Sequence, residues 1–309
     1  MKYKEWLRYW LENCVKPSSK LRTYNRYMQI VKNHIESFLG DVYLEEITPV
    51  ILQSFVTKML SSGNLKTGGQ LSSNSVNGII TVLQCSLKSA YDVGACKVYV
   101  ADRIKRPRAT KTETSCFSLA EQKLIEEKIM KMKNDKFFGV IISLYTGLRI
   151  GELLSLLWED VDLDGGMIFV SKICHYVRGY DEVYGRIVTS PKTSASKRVI
   201  PIPKGLIPKF KDVKSKSRSI YVVSNGLNPI SIRSYQRSFE MLLKQSNIAH
   251  RGFHSLRHTF ATRALECGMD VKTLSEVLGH SSPSLTLSRY AHSLMEHKIE
   301  MMNRVGDIL

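Results

Sequence analysis

The chain has 309 residues, 43% apolar and 24% charged. That is enough for two folded domains, and it excludes a disordered composition. The most apolar stretch, Phe137–Tyr145, is too short to cross a bilayer, and the charges scattered through MKYKEWLRYW exclude a secretion signal. Six cysteines, at 14, 85, 96, 116, 174 and 267, include no pair two or three apart, which excludes a zinc ribbon or a redox pair and reads as reduced thiols in a cytosolic protein.

The net charge of +17 is the first pointer to function. Such an excess attracts a polyanion at long range and releases its counterions on binding. Residues 1–108 carry 16 Lys and Arg against 8 Asp and Glu, and residues 109–309 carry 29 against 20, so both halves can line one nucleic-acid surface. A basic membrane-surface protein is the alternative, but no amphipathic anchor accompanies the charge.

In chain order, Trp6, Leu7, Trp10, Leu11 and Cys14 form one helical stripe, and Tyr24, Tyr27, Val31, Ile35 and Phe38 form a second that ends at Gly40. Thr48-Pro49 opens a third helix, carrying Ile51, Leu52, Phe55, Val56 and Met59. Ser72–Tyr91 is a fourth, with Val76, Ile79, Ile80, Leu83 and Leu87. Four such helices make a small bundle over 1–105 whose aromatic residues belong to its core. The polar, basic stretch KRPRATKTETS (Lys105–Ser115) has no apolar periodicity and marks a linker, placed at 106–116. The second domain, 117–309, opens on a capping box, Ser118 to Glu121. Phe137–Tyr145 is a buried helix stopped near Gly147, and Gly151–Trp158 is a short one. Met167–Val177, Val183–Thr189 and Lys197–Ile202 read as the three strands of a small antiparallel sheet, the last two joined by Ser190–Ser196. Helices resume at Ser231–Gln245, His254–Cys267, Val271–Leu278 and Pro283–Tyr290, and Met295–Leu309 is a C-terminal helix or tail.

Four segments of the second domain place a cation or proton donor beside a turn. In Thr146-Gly147-Leu148-Arg149-Ile150-Gly151-Glu152, Arg149 stands between two helices, where a guanidinium can leave the helix surface and grip a phosphate with two hydrogen bonds. Lys192 lies between two strands. His254-Ser255-Leu256-Arg257 opens a helix, with His254 and Arg257 three apart on one face near the positive end of the helix. Leu278-Gly279-His280-Ser281-Ser282 is followed by Ser288-Arg289-Tyr290-Ala291-His292. His254 and His258 stand four apart, as a metal pair does, but no carboxylate or third ligand accompanies them. Taken singly, each feature is an ordinary surface or core residue.

Taken together, TGLRIGE, PKTSASKRVIPIP, FHSLRHTFAT and LGHSS…SRYAH resemble the motif boxes of the tyrosine recombinases, the phage integrase family. The likeness covers nearly the whole chain and is strongest to integrases of temperate phages and of integrative conjugative elements. It implies a mainly α fold: an N-terminal SAM-like four-helix bundle that binds the core site, then a mostly helical catalytic domain with a small three-stranded antiparallel sheet. It implies six catalytic residues: Arg149, Lys192, His254, Arg257, His280 and Tyr290. Tyr290 attacks the phosphodiester. The two arginines, helped by His254 or His280, hold the non-bridging oxygens in place of a divalent metal. His254 acts as general base to a phenol whose ordinary pKa is about 10, and Lys192 as general acid to the leaving 5′-hydroxyl. The 3′-phosphotyrosine keeps the bond energy for rejoining, so no metal, cofactor or ATP is called for. Glu152 reads as structural, steadying an active-site arginine.

By the same resemblance, the partners are double-stranded DNA attachment sites, a homotetramer assembled on them, and a DNA-bending accessory protein or excisionase. There is no membrane partner, and the compartment is the cytoplasm. Members of the family often carry a further small arm-binding domain ahead of the bundle; the likeness here begins at the bundle. Ile299, Met302, Val305 and Ile308 form an apolar stripe on the tail, suited to docking on a neighbouring subunit or on the tail's own domain. A type IB topoisomerase shares the phosphotyrosine chemistry but does not have these motifs and this bundle. A non-catalytic DNA-binding regulator does not need Arg149 and Tyr290.

Overall fold

The computed structural model describes residues 1–109, 116–132, 134–178, 184–190, 197–280 and 282–290, with 299, 302, 303 and 305–307. For Val177, Arg178, Tyr184, Leu285, Ser288, Arg289 and Tyr290 it describes the backbone alone. The chain divides into two compact units, one of residues 1–112 with 177–183 and the other of residues 113–176 with 184–309.

The first unit is all helical. It runs α1 (Tyr3–Trp10), a π-helical turn (Leu11–Val15), α2 (Lys16–Ser18), α3 (Leu21–Ile30), a second π turn (Val31–Ile35), α4 (Glu36–Leu39), α5 (Pro49–Ser62) and α6 (Ser73–Asp92). Thr48 caps α5 and Ser72 caps α6, each side chain accepting a backbone N–H of the first turn. Trp6, one of two buried tryptophans of α1, is 2% exposed, and its indole N–H donates to the Ser86 carbonyl at 3.1 Å, so it is also polar-satisfied against α6. The π turn changes one expectation. It spaces the stripe four residues apart, so Val31, Ile35 and Leu39 are buried, while Phe38 is 41% exposed and rests on Phe55. After α6 the chain returns along it. Asn77 donates to the Pro107 carbonyl at 3.0 Å, Gln84 to the Ala101 carbonyl at 2.8 Å, and the Lys105 N–H to Gln53 at 3.1 Å. The stretch read as the start of a linker is therefore hydrogen-bonded to the bundle as far as Pro107.

The second unit begins with α7 (Leu119–Lys131), opened by the Ser118–Glu121 capping box with both reciprocal bonds made. Then come α8 (Phe138–Thr146) and α9 (Ile150–Leu153). The strands are β1 (Val161–Asp162), β2 (Met167–Val170), β3 (Ile173–Arg178), β4 (Tyr184–Thr189) and β5 (Arg198–Pro201). After α10 (Ile207–Lys216), the short strands β6 (Ser224–Asn225) and β7 (Asn228–Pro229) pair with each other. The unit ends with α11 (Ile232–Gln245), α12 (His254–Glu266), α13 (Val271–Leu278) and α14 (Pro283–Tyr290). Helix α8 is the centre of the core, with Phe138, Val140, Ile141, Ile142 and Leu144 all buried, and α12 lies along it. Among the described residues no helix is long and apolar enough to cross a membrane.

A three-stranded antiparallel sheet is present, but its members are β1, β2 and β5, while β3 and β4 form a separate pair. The expected strand Met167–Val177 breaks at Ser171-Lys172. There the Lys172 ammonium is held by Glu159 and Asp160 at 3.1 Å each, and its carbonyl accepts the Ser155 hydroxyl at 3.0 Å. β5 is shorter by a residue at each end than the expected Lys197–Ile202, although the Ile202 N–H still donates to the Gly166 carbonyl at 2.8 Å just beyond it. The expected helix Gly151–Trp158 is shorter, because the Ser155 hydroxyl turns back on the Gly151 carbonyl at 2.9 Å and Trp158 N–H bonds to Ile220 instead. Helix α10, with Phe210 and Val213 buried three apart, was not expected from its lysine-rich sequence. Most of the tail lies outside the described residues. Of its apolar stripe, Ile299, Met302 and Val305 are exposed, and Ile308 is not described.

Gly147 and Gly279 end α8 and α13 in the left-handed conformation, at φ +66° and +63°. A Cβ on Gly147 would also lie 2.6 Å from the Phe260 ring and 2.7 Å from Leu278. Gly226 has φ +62° with open space around it. Chemical denaturation should show Gly226→Ala costing about 1 kcal/mol from backbone strain alone, and Gly147→Ala costing about 2–4 kcal/mol because overpacking is added.

Candidate active site

The end of α13 gathers the site. A helix leaves its last carbonyls without intrahelical donors. Here three consecutive ones, at 277, 278 and 279, are each bound by a different arginine. Arg198 Nε donates to the Val277 carbonyl at 2.6 Å, Arg257 Nη2 to the Leu278 carbonyl at 2.7 Å, and Arg149 Nη2 to the Gly279 carbonyl at 3.2 Å. Arg257 Nη1 also donates to the Gly147 carbonyl at 2.9 Å, and so joins the ends of α8 and α13. Positive side chains at the negative ends of two helices are favoured by the helix dipole as well as by hydrogen bonding. Left-handed Gly147 and Gly279 let the chain leave both helices sharply, which presents these carbonyls outward to the guanidinium groups.

Glu152 organises the same group from the other side. Its side chain is 2% exposed. Oε2 accepts the Arg149 backbone N–H at 2.9 Å, and Oε1 accepts Arg149 Nη1 at 2.7 Å, so one carboxylate fixes both ends of the same residue. Arg198 binds it as a fork, Nη1 to Oε1 at 3.2 Å and Nη2 to Oε2 at 2.9 Å. The expectation that Glu152 steadies an arginine is thus met, with two arginines in place of one. Arg198 was missed in the sequence. The signal was its phase: 198, 200 and 202 alternate onto one strand face, and Ile200 and Ile202 are buried while Val199 is 48% exposed.

The other expected residues stand as follows. His280 Nδ1 lies 2.7 Å from the hydroxyl of buried Thr286, so α14 orients the imidazole. His254 is exposed at the first position of α12, with its ring edge-on to His258 at 4.7 Å between centroids. Arg257, one turn further along α12, is 1% exposed. Arg149 keeps 30% of its side chain exposed. The structure therefore brings Arg149, Arg257 and the segment bearing His280 to one helix end, with His254 one turn from Arg257. Tyr290 is the last residue of α14, which packs on α13. Lys192 lies outside the described residues. Among the described residues no group of three or more His, Cys, Asp or Glu could hold a metal ion.

Burial alone would raise the Glu152 carboxyl. The hydrogen bonds and charge of Arg198, then those of Arg149, outweigh it and hold the group at about 2, against an ordinary 4.5. The folded state therefore binds this proton more weakly than the unfolded chain does. The stabilisation is full above about pH 4.5 and is lost as pH falls toward 2. Glu152→Gln should lower stability by about 3 kcal/mol at pH 7. Denaturant melts of both proteins should converge as pH is lowered through that window.

Comparison with known proteins agrees with this geometry. The profile described as "Phage integrase family" matches residues 120–297, and that described as "Phage integrase, N-terminal SAM-like domain" matches residues 2–60. A tyrosine recombinase XerC-like protein of Caldanaerobacter subterraneus subsp. tengcongensis is 29% identical over 97% of this chain and 81% of its own length. The ICEBs1 integrase of Bacillus subtilis is 27% identical over 94% of this chain and 79% of its own. In fold, the integrase of transposon Tn1549, solved with a circular intermediate DNA, superposes with a TM-score of 0.79 over 99% of both chains at 22% identity. With a domain profile over more than half its length, the chain belongs to the phage integrase family of tyrosine recombinases.

Proposed function

We propose that this chain cleaves and rejoins DNA at specific sites through a 3′-phosphotyrosine on Tyr290, and so integrates or excises a mobile element. The observation that supports this most is the α13 end, where Arg149, from the α8–α9 junction, and Arg257, from α12, are fixed beside the chain that leads through His280 to Tyr290. The residues divide the chemistry as follows. Arg149, the more exposed guanidinium, meets a non-bridging oxygen of the scissile phosphate. Arg257, tied to two carbonyls, adds fixed positive charge behind it, and His280 is held by Thr286 to donate to the same phosphate. His254 takes the Tyr290 proton as the phenolate oxygen attacks phosphorus. Lys192 gives a proton to the 5′-oxygen as the P–O bond breaks. Rejoining reverses these steps with a new 5′-hydroxyl.

The helical unit 1–105 grips the core-site duplex, the linker follows, and residues 117–309 carry the reaction. Exchange between two duplexes cuts four strands, and each chain offers one Tyr290, so the assembly on DNA is a homotetramer. Direction of recombination then rests on an accessory DNA-bending protein or excisionase. The reaction takes place in the cytoplasm, where the DNA is.

The test is covalent trapping. Nicked duplexes carrying the joined ends of the mobile element that flanks this chain's own gene are incubated with the protein in a chelator of divalent metals, then run on a denaturing gel. The expected result is a protein–DNA adduct that is absent with Tyr290→Phe and about 100- to 1000-fold slower to form with Arg149→Gln. A native-gel shift of the same duplexes without any adduct would overturn the catalytic reading in favour of a DNA-binding regulator. An adduct, with plasmid relaxation, on DNA of any sequence would favour a topoisomerase.

A further inference from the structure

Resting on the strand-transfer reading above, we infer that Arg198 is a positioning residue of this site. It takes up the charge of Glu152, and so leaves the Arg149 guanidinium oriented yet electrically uncompensated for an incoming phosphate.

A buried ion pair is costly to assemble, and a hydrophobic side chain in phase with Ile200 and Ile202 would pack in its place. Arg198 nevertheless stands on the buried face of β5 with its side chain 5% exposed. Its fork meets both oxygens of Glu152, while the Arg149 guanidinium reaches the carboxylate with Nη1 alone, the Arg149 backbone N–H supplying the other bond. Suppose Arg198 were absent. Glu152 and Arg149 would then be a one-to-one pair, and the attraction of Arg149 for an anion would be largely cancelled at 2.7 Å. With Arg198 present, two guanidinium groups share one carboxylate, and the surplus charge falls on the partner that is 30% exposed. The same residue also sets position. Its Nε bond to the Val277 carbonyl ties β5 to the end of α13, so the carboxylate that aims Arg149 and the carbonyls that receive Arg149 and Arg257 are held by one side chain. Arg198 acts through Glu152 and Arg149.

The experiment compares adduct formation, in a single turnover at saturating nicked duplex, by the parent protein, Arg198→Met, Glu152→Gln and Arg198→Met/Glu152→Gln. Arg198→Met should slow the step about 10- to 100-fold, with the half-saturating DNA concentration changed less than about threefold. Removing the carboxylate charge in the double variant should then recover at least about fivefold of that loss, because Glu152 no longer cancels Arg149. A merely structural role predicts that a second lesion worsens the first. A double variant as slow as Arg198→Met or slower, or an Arg198→Met rate within about twofold of the parent, would overturn the inference. A parent protein that forms no adduct overturns the strand-transfer reading itself and is told apart by that control. If Arg198→Met is insoluble, Arg198→Gln replaces it in the same comparison with the same expected recovery.

Discussion

Three consecutive carbonyls at the end of one eight-residue helix, α13, organise this catalytic unit. Each is an orphan acceptor by the geometry of helices, and each is bound by an arginine from a different part of the chain: β5, α12, and the junction of α8 with α9. The arrangement solves two problems at once. Buried carbonyls obtain donors, and mutually repelling guanidinium groups are collected at one place by the negative end of a helix. The cluster draws together segments that run from 149 to 279 in the sequence.

The cluster is also graded in exposure. Arg257, bonded to two carbonyls, and Arg198, bonded to a carbonyl and to Glu152, are enclosed, while Arg149 stands at the surface of the same cluster. Rigid interior charges cost nothing to reorganise when an anion arrives, which is the condition under which fixed charge lowers a barrier. Glu152 is the counterweight that makes so much positive charge tolerable in the fold. Its strongly depressed proton affinity is a measure of how positive its surroundings are. Stability and function share the same bonds here, so a change at this carboxylate is felt in both.

Much of this was legible in the sequence wherever the signal was local. Thr48-Pro49, Ser72, Ser118 with Glu121, and Ser231 announce helix starts because a capping side chain bonds within its own turn. Gly40 and Gly147 mark helix ends. Arg149 and Arg257 stood out through the strings around them, and the fold bonds both to carbonyls at the end of α13. What escaped depends on partners distant in sequence. Arg198 was hidden in an ordinary strand alternation because its reason for being there is a carboxylate 46 positions away. The break in the expected strand at Ser171-Lys172 is set by Ser155, Glu159 and Asp160. The exposure of Phe38 in place of Leu39 follows from a π turn that simple 3.6-residue counting cannot foresee.

The most direct test of this account is a structure of Tyr290→Phe bound to an uncleaved duplex that carries its recombination site. The account predicts the scissile phosphate at the end of α13, with Arg149 on a non-bridging oxygen while still bonded to Glu152, and Arg198 on Glu152 and Val277 without touching DNA. A phosphate seated away from this helix end, or Arg149 released from Glu152 with Arg198 taking its place on the phosphate, would contradict it.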